Sequence, residues 1–150
     1  YSDFAIANIA TVICFVSSRW VAIKFPTAGP TFYKPEFFDL TGTLSAKTQQ
    51  GLLLYMQGGF EQSGFIPGTM GMPSLHVGIS FLATWLLVRN IKWTGWLVIP
   101  CFCLIWFSTI VLGWHYLLDG FGGIIITFIS VHLSQKIFIT FPVKKLIKKH

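Results

Sequence analysis

The apolar residues of this chain fall into four long stretches, at residues 4–23, 74–88, 95–113 and 116–141, separated by more polar segments. A helix needs ~20 apolar residues to cross the hydrocarbon core of a bilayer, and only the second stretch falls clearly short of that length. The pattern therefore predicts an all-α integral membrane protein, a transmembrane helix bundle with about four spans. We expect residues 1–150 to form one membrane domain, with a long loop at residues 24–73.

Composition favours a membrane protein over a soluble one. The chain is 53% hydrophobic and only 11% charged, whereas soluble domains carry roughly 25% charged residues. The net charge of +6 could suit nucleic acid, but no recognition motif accompanies it. Lysines instead cluster after the last apolar stretch, at positions 144, 145, 148 and 149, as in a segment that meets anionic lipid. We predict a bilayer partner and no nucleic acid.

The basic residues also predict an orientation. Arg89 and Lys92 lie between the second and third stretches, and the lysine tail follows the fourth. Two spans separate these sites, so both fall on one side, which the positive-inside rule makes cytoplasmic. His76, Thr109 and His115 then share the opposite face, together with the loop at 24–73. We expect this face to be periplasmic, lumenal or exterior, and the C-terminus to be cytoplasmic.

Two histidines and an aspartate on that face are candidates for catalysis. Ionisable groups near a membrane core are costly and are usually retained for function. Asp119 follows His115 by four residues, so on a helix it can hold the imidazole ring and set its tautomer. With His76, the chain then has one histidine to attack and one to protonate a leaving group. Pro73 and Ser74 precede His76 as at a helix start, where Ser74 and backbone N–H groups such as that of Leu75 suit a phosphate.

Other interpretations of the same residues remain open. Ser74 can simply cap a helix, and a histidine and aspartate at helical spacing can make a polar contact between packed helices. His76, His115 and Asp119 could also supply three zinc ligands, although no zinc-hydrolase motif is present. A non-enzymatic membrane subunit or transporter could use His and Asp as a proton relay. We predict an enzyme without a metal or other cofactor.

The two histidine segments resemble motifs of the type 2 phosphatidic acid phosphatase superfamily. Pro73-Ser74-Leu75-His76 matches its second motif, P-S-x-H, and Ser108, His115 and Asp119 match its third, S-R-x5-H-x3-D, with Thr109 in place of arginine. This variant, and the segment 25–30, resemble the branch that contains inositol phosphorylceramide synthase. The resemblance covers roughly residues 20–140. The superfamily core usually has six helices, so we expect this chain to form the C-terminal part of such a core.

The resemblance implies a mechanism and roles for individual residues. His115 would attack phosphorus to form a phosphohistidine, oriented by Asp119, and His76 would protonate the departing alcohol and then activate water or a hydroxyl acceptor. Phosphate-binding groups would come from Ser74, Leu75 and Ser108.

The first motif of the superfamily, K-x6-R-P, is absent here. Among Lys24, Arg19 and Lys34 we favour Lys24 as the replacement cation. Because a phosphodiester carries one negative charge and needs fewer cations than a monoester dianion, the missing arginine favours a phosphotransferase that acts on a phosphodiester lipid. The alternative is a phosphatase for a lipid phosphate or polyprenyl pyrophosphate.

Overall fold

The chain is all-α in the computed structural model, which describes residues 2–25, 27–56 and 72–140. The α-helices in this part are α1 (Ser2–Lys24), α2 (Pro30–Tyr33), α3 (Leu44–Met56), α4 (Leu75–Asn90), α5 (Gly95–Val111) and α6 (Leu117–Thr140). Short 3₁₀ turns lie at Pro35–Phe37 and Lys92–Thr94, and the described residues contain no β-strand. The predicted fold class is confirmed.

Three of the predicted spans form helices that are long and apolar enough to cross a membrane. Among the described residues they cover Asp3–Lys24, Lys92–Val111 and Leu117–Thr140. The second predicted span forms α4, whose 16 residues extend ~24 Å, less than the ~30 Å hydrocarbon core. The chain is therefore a multi-pass membrane protein with α4 as its short helix. Residue 141 and the lysine-rich tail lie outside the described residues, and the orientation in the membrane stays a prediction.

The bundle places small side chains inside and large apolar ones outside. Helix α6 packs along α1 and α4, and α4 packs against α5. The buried side chains are mostly small, and they include Ala10, Cys14, Thr127, Ser130 and Ser134. Leu97, Leu104 and Ile125 are each more than half exposed. This arrangement suits helices that associate through close packing while lipid contacts their large side chains.

Helices α4 and α6 approach each other closely at a pair of glycines. A Cβ added to Gly78 would lie 3.1 Å from Gly123 O, and one added to Gly123 would collide with Ser74 O. Thr127 Oγ1 lies within hydrogen-bond distance of Gly78 O (3.0 Å) and Gly123 O (2.9 Å). Cys14 Sγ on α1 lies 3.6 Å from the same hydroxyl. Glycine is required at position 123, where the α4 backbone leaves no room for a side chain, and the fit at Gly78 is tight.

The predicted loop at 24–73 contains α2 and α3, which pack over the turn between α5 and α6. Thr31 N donates to Gly113 O at 3.1 Å, and Gln49 Nε2 donates to Leu112 O at 2.9 Å. Trp114 Nε1 donates to Ser45 Oγ at 2.9 Å. The loop therefore fixes the turn that leads into His115.

Candidate active site

Ser74 lies immediately before α4 and caps it. Its Oγ accepts a hydrogen bond from Val77 N at 3.4 Å, and its carbonyl accepts from Gly78 N at 3.0 Å. Ser74 is completely buried, so its hydroxyl serves the helix start. The N–H groups of Leu75 and His76 lie in the first turn, where a helix has no carbonyl to accept from them. This end of α4 therefore presents donors and the positive end of the helix dipole.

A tight turn between α5 and α6 positions His115. Gly113 has φ of 69°, a left-handed conformation that favours glycine. Thr109 O accepts from Trp114 N at 3.0 Å and from His115 N at 3.1 Å. The Thr109 side chain, which stands in the motif's arginine position, is buried and donates to Trp106 O at 2.7 Å. The backbone of Thr109 thus holds His115 in place, while its side chain is turned into the helix packing.

Asp119 lies beside the His115 ring. Its Oδ2 is 3.7 Å from His115 Nδ1 and accepts a hydrogen bond from Tyr116 N at 2.7 Å. His115 is 6% exposed and Asp119 4%, so the pair is shielded from solvent. The carboxylate occupies the Nδ1 side of the ring, and Nε2 is on the opposite edge. The predicted contact between these two residues is present, but His115 lies two residues before α6 rather than on a helix with Asp119.

The starts of α4 and α6 meet, which brings the two histidines together. Ser74 N donates to Asp119 O at 2.9 Å. The ring centroids of His76 and His115 are 5.9 Å apart, with an angle of 59° between the planes. His76 is exposed whereas His115 is buried. Two motifs that are distant in sequence therefore form one two-histidine centre.

A cavity of about 540 Å³ lies beside both histidines. Helix α1 contributes Ser18, Arg19 and Ala22 to its wall, and α4 contributes a row of residues from Leu75 to Ala83. Most of the wall is apolar. The cavity therefore has a polar end at the histidines, and the rest of its wall is mostly apolar. Such a cavity suits a ligand with a charged group and an apolar portion.

Two residues predicted to bind phosphate lie outside this cavity wall. Ser108 is exposed and its Oγ donates to Ile105 O at 2.7 Å. Lys24 is exposed at the end of α1. The cation in the cavity wall is Arg19 rather than the favoured Lys24, and its guanidinium carbon lies 5.4 Å from the centroid of the Phe15 ring. Of the predicted phosphate ligands, Leu75 lines the cavity and Ser74 underlies it as the helix cap.

Sequence reasoning missed Ser18 as a residue of the site. The available signal was the polar pair Ser18-Arg19 inside an otherwise apolar helix, because polar groups in such a helix usually face a partner or a cavity. The same reasoning named Arg19 only as one of three possible cations.

The zinc alternative receives no support from the arrangement of side chains. Within residues 2–25, 27–56 and 72–140, no group of three His, Cys, Asp or Glu side chains could hold a metal ion. His115 and Asp119 instead contact each other as an i,i+4 pair.

Together, the fold and the site define a membrane helix bundle with a two-histidine centre beside a cavity whose wall is mostly apolar. Residues 2–133 match the PAP2 superfamily, and the chain belongs to this superfamily. No match was found among curated proteins or among solved structures. The superfamily comprises phosphatases and phosphotransferases, and a membrane-embedded member would act on lipid substrates in the bilayer.

Proposed function

We propose that this protein is a lipid phosphotransferase that acts on a phosphodiester lipid through a phosphohistidine intermediate, as an inositol phosphorylceramide synthase-like enzyme. The observation that carries the proposal is the pair of histidine rings 5.9 Å apart, one of them beside Asp119, at the polar end of a cavity with an apolar wall. We place the site on the periplasmic, lumenal or exterior face, with the C-terminus cytoplasmic.

In the first half-reaction, His115 is the nucleophile. Its Nδ1 faces Asp119, which favours the tautomer protonated at Nδ1 and leaves the Nε2 lone pair to attack phosphorus. As the N–P bond forms, the bond from phosphorus to the leaving alcohol oxygen breaks. Protonated His76 gives its proton to that oxygen. The products are a phosphohistidine and a neutral alcohol.

In the second half-reaction, His76 is the general base. It takes the proton of an acceptor hydroxyl, or of water, and the acceptor oxygen attacks phosphorus. The N–P bond breaks, and His115 returns to its starting state. Backbone N–H groups of Leu75 and His76 at the α4 start would bind the non-bridging oxygens, where the helix dipole also favours negative charge.

The charge in the cavity wall favours a phosphodiester donor. Within the described part of the chain, Arg19 is the one Lys or Arg residue that lines the cavity. The motif's arginine is replaced by Thr109, whose side chain is buried. A phosphodiester carries a single negative charge, which one cation and a helix start can balance. A monoester dianion would gain from further cations.

The purified protein should transfer a head group from phosphatidylinositol to ceramide faster than it releases phosphate from phosphatidic acid. The measurement is a paired assay in mixed micelles, with both products separated by chromatography and with the His115→Ala variant as background. Release of free phosphate from phosphatidic acid without any transfer would contradict the transferase proposal and favour the phosphatase alternative.

Asp119→Asn should lower kcat by about 10²- to 10⁴-fold, as loss of the aspartate does in other histidine-dependent centres. Asparagine is nearly isosteric and its single oxygen can still accept from Tyr116 N, but it removes the negative charge beside His115 Nδ1 that favours the reactive tautomer. Initial rates at saturating donor check the prediction.

The control for this substitution is thermal unfolding in detergent, which should change little because the bond to Tyr116 N is preserved. Full activity in a folded Asp119→Asn variant would show that the carboxylate does not orient the nucleophile.

A further inference from the structure

Gln49 is a buried polar residue of α3 that contacts the turn before His115. Its side chain is 8% exposed and does not line the cavity beside the histidines. Its Nε2 donates to Leu112 O at 2.9 Å, and its Oε1 accepts from Thr31 Oγ1 at 3.3 Å. A buried side-chain amide is stable only when it is hydrogen-bonded. These two bonds therefore tie α3 to the turn and to α2.

The orientation of the Gln49 amide follows from its two partners. Leu112 O is a carbonyl oxygen and can only accept, so the amide nitrogen must face it. The amide oxygen then faces the Thr31 hydroxyl, which can donate. An ionised glutamate at position 49 would keep an oxygen for Thr31 but would have no N–H group for Leu112 O. One substitution can therefore remove the bond to the turn and leave the bond to α2.

The carbonyl that Gln49 contacts lies just beyond the end of α5. The helix ends one residue before Leu112, and the last carbonyls of a helix have no N–H group of a following turn to accept from. Gln49 supplies a donor for Leu112 O. The next carbonyl, Gly113 O, accepts from Thr31 N at 3.1 Å. The loop rather than the helix therefore holds the two carbonyls that lie three and two residues before His115.

We infer that Gln49 is a positioning residue for the nucleophile: by donating to Leu112 O, it fixes the turn that orients His115 towards the cavity. This inference rests on the proposed function, since it takes His115 as the attacking group. A displacement of a reacting group by about 1 Å can cost ~10²-fold in rate. Without the Gln49 donor the turn can shift, whereas the cavity wall on α1 and α4 does not depend on this bond. The loss therefore falls on attack at phosphorus rather than on lipid binding.

The test replaces Gln49 in the full chain and follows head-group transfer from phosphatidylinositol to ceramide. Gln49→Glu should lower kcat by ~10- to 10²-fold and change the KM for the donor by less than about twofold. Gln49→Met, which has neither a donor nor a charge, should show the same loss. Thr31→Val should keep most of the activity, because Gln49 can still donate to Leu112 O.

A second measurement reports on the position of His115 without any turnover. Diethyl pyrocarbonate modifies accessible imidazole rings, and mass spectrometry gives the rate at each histidine. His115 is 6% exposed and should react faster in Gln49→Glu than in the wild type. His76 is exposed and should react at the same rate in both proteins. Both are compared well below their unfolding temperatures, so a lower stability alone does not expose His115.

The matched control is Gln50→Glu, the same change at the next residue of α3, whose side chain is exposed. It should leave kcat and the reactivity of His115 unchanged. An equal loss in Gln50→Glu or Thr31→Val, a rise in KM without a fall in kcat, or wild-type kcat and His115 reactivity in a folded Gln49→Glu variant would each overturn the inference. Faster modification of His115 in Gln49→Glu, with no transfer by the wild type, would contradict the proposed function and leave the contact of Gln49 with the turn standing.

Discussion

Replacing His115 with alanine is expected to abolish phosphotransfer, with a loss of at least ~10³-fold in kcat. The alanine variant has no nitrogen to attack phosphorus, so neither half-reaction can proceed through a covalent intermediate. A donor labelled at phosphorus should leave label on the wild-type protein when the reaction is quenched in alkali. The same experiment should leave no label on His115→Ala. Loss of label and loss of turnover together identify the nucleophile.

His132 offers a matched control for this experiment. It lies on α6, the helix that follows His115, and is exposed, and it is not part of the cavity wall. His132→Ala should keep both label and turnover. Equal loss in both histidine variants would point to damage of the helix rather than to chemistry at His115. Persistent label on His115→Ala would contradict the mechanism, and label on neither variant nor wild type would favour the proton-relay alternative.

A variant of the second histidine separates the two chemical roles. His76→Ala should fail with a natural donor, whose alcohol needs a proton to leave. A p-nitrophenyl phosphodiester has a leaving group that needs no protonation, so it should still label His115 in this variant. Trapped label without turnover would then distinguish the acid from the nucleophile, although the two rings lie only 5.9 Å apart.

The predicted residues that reach the site are those whose position depends on local structure. The four-residue spacing predicts the contact of His115 with Asp119 on one helix. In the structure His115 precedes α6, and the contact forms at the helix start, where Asp119 Oδ2 also accepts from Tyr116 N. The meeting of His76 with His115 is also predictable from the sequence, because the predicted order of spans puts both helix starts on one face. These predictions needed no knowledge of how the helices rotate about their axes.

The position of the predicted residues that lie outside the cavity wall depends on such rotations. Consecutive residues on a helix point 100° apart, so Ser108 is exposed while Thr109 next to it is buried. The apolar residues of α1 surround the helix on all sides and do not indicate which face turns towards α4. The polar pair Ser18-Arg19 signals a polar partner on this helix, but the sequence does not specify that this partner is the cavity, and it favours Lys24 as the cation.

The role of the Ser74 hydroxyl could not be predicted from the sequence for a different reason. The motif offers one side chain for two tasks, helix capping and phosphate binding, and both suit a serine at a helix start. The structure assigns the hydroxyl to the cap through Val77 N. The donors at this end of the cavity are therefore backbone N–H groups, whose directions follow from the helix rather than from residue type.

Gly123→Ala is expected to lower the free energy of unfolding by about 1–3 kcal/mol. The added Cβ would collide with Ser74 O and lie 3.1 Å from Gly78 N. Both are backbone atoms, which cannot move aside without shifting α4. Alanine favours a helix over glycine by about 1 kcal/mol. The measured loss of unfolding free energy is therefore the cost of the collision minus this gain.

The same collision should reduce activity, because Ser74 N donates to Asp119 O at 2.9 Å. Moving the start of α4 away from α6 would break this bond and separate His76 from His115. Thermal unfolding in detergent measures the first effect and head-group transfer the second. Reactivity of buried Cys14 in a Cys101→Ser, Cys103→Ser background reports whether the interface has opened, since its Sγ lies 3.6 Å from Thr127 Oγ1.

Gly122→Ala is the matched control, one residue away on the same helix. A Cβ there would lie 3.4 Å from Pro73 Cβ, an ordinary van der Waals contact, so this variant should unfold at or above the wild-type temperature and remain active. If Gly123→Ala behaved like Gly122→Ala, the close approach of α4 and α6 would not be what holds the two histidines together. A loss confined to Gly123→Ala would link the helix contact directly to the chemistry, because that glycine does not line the cavity.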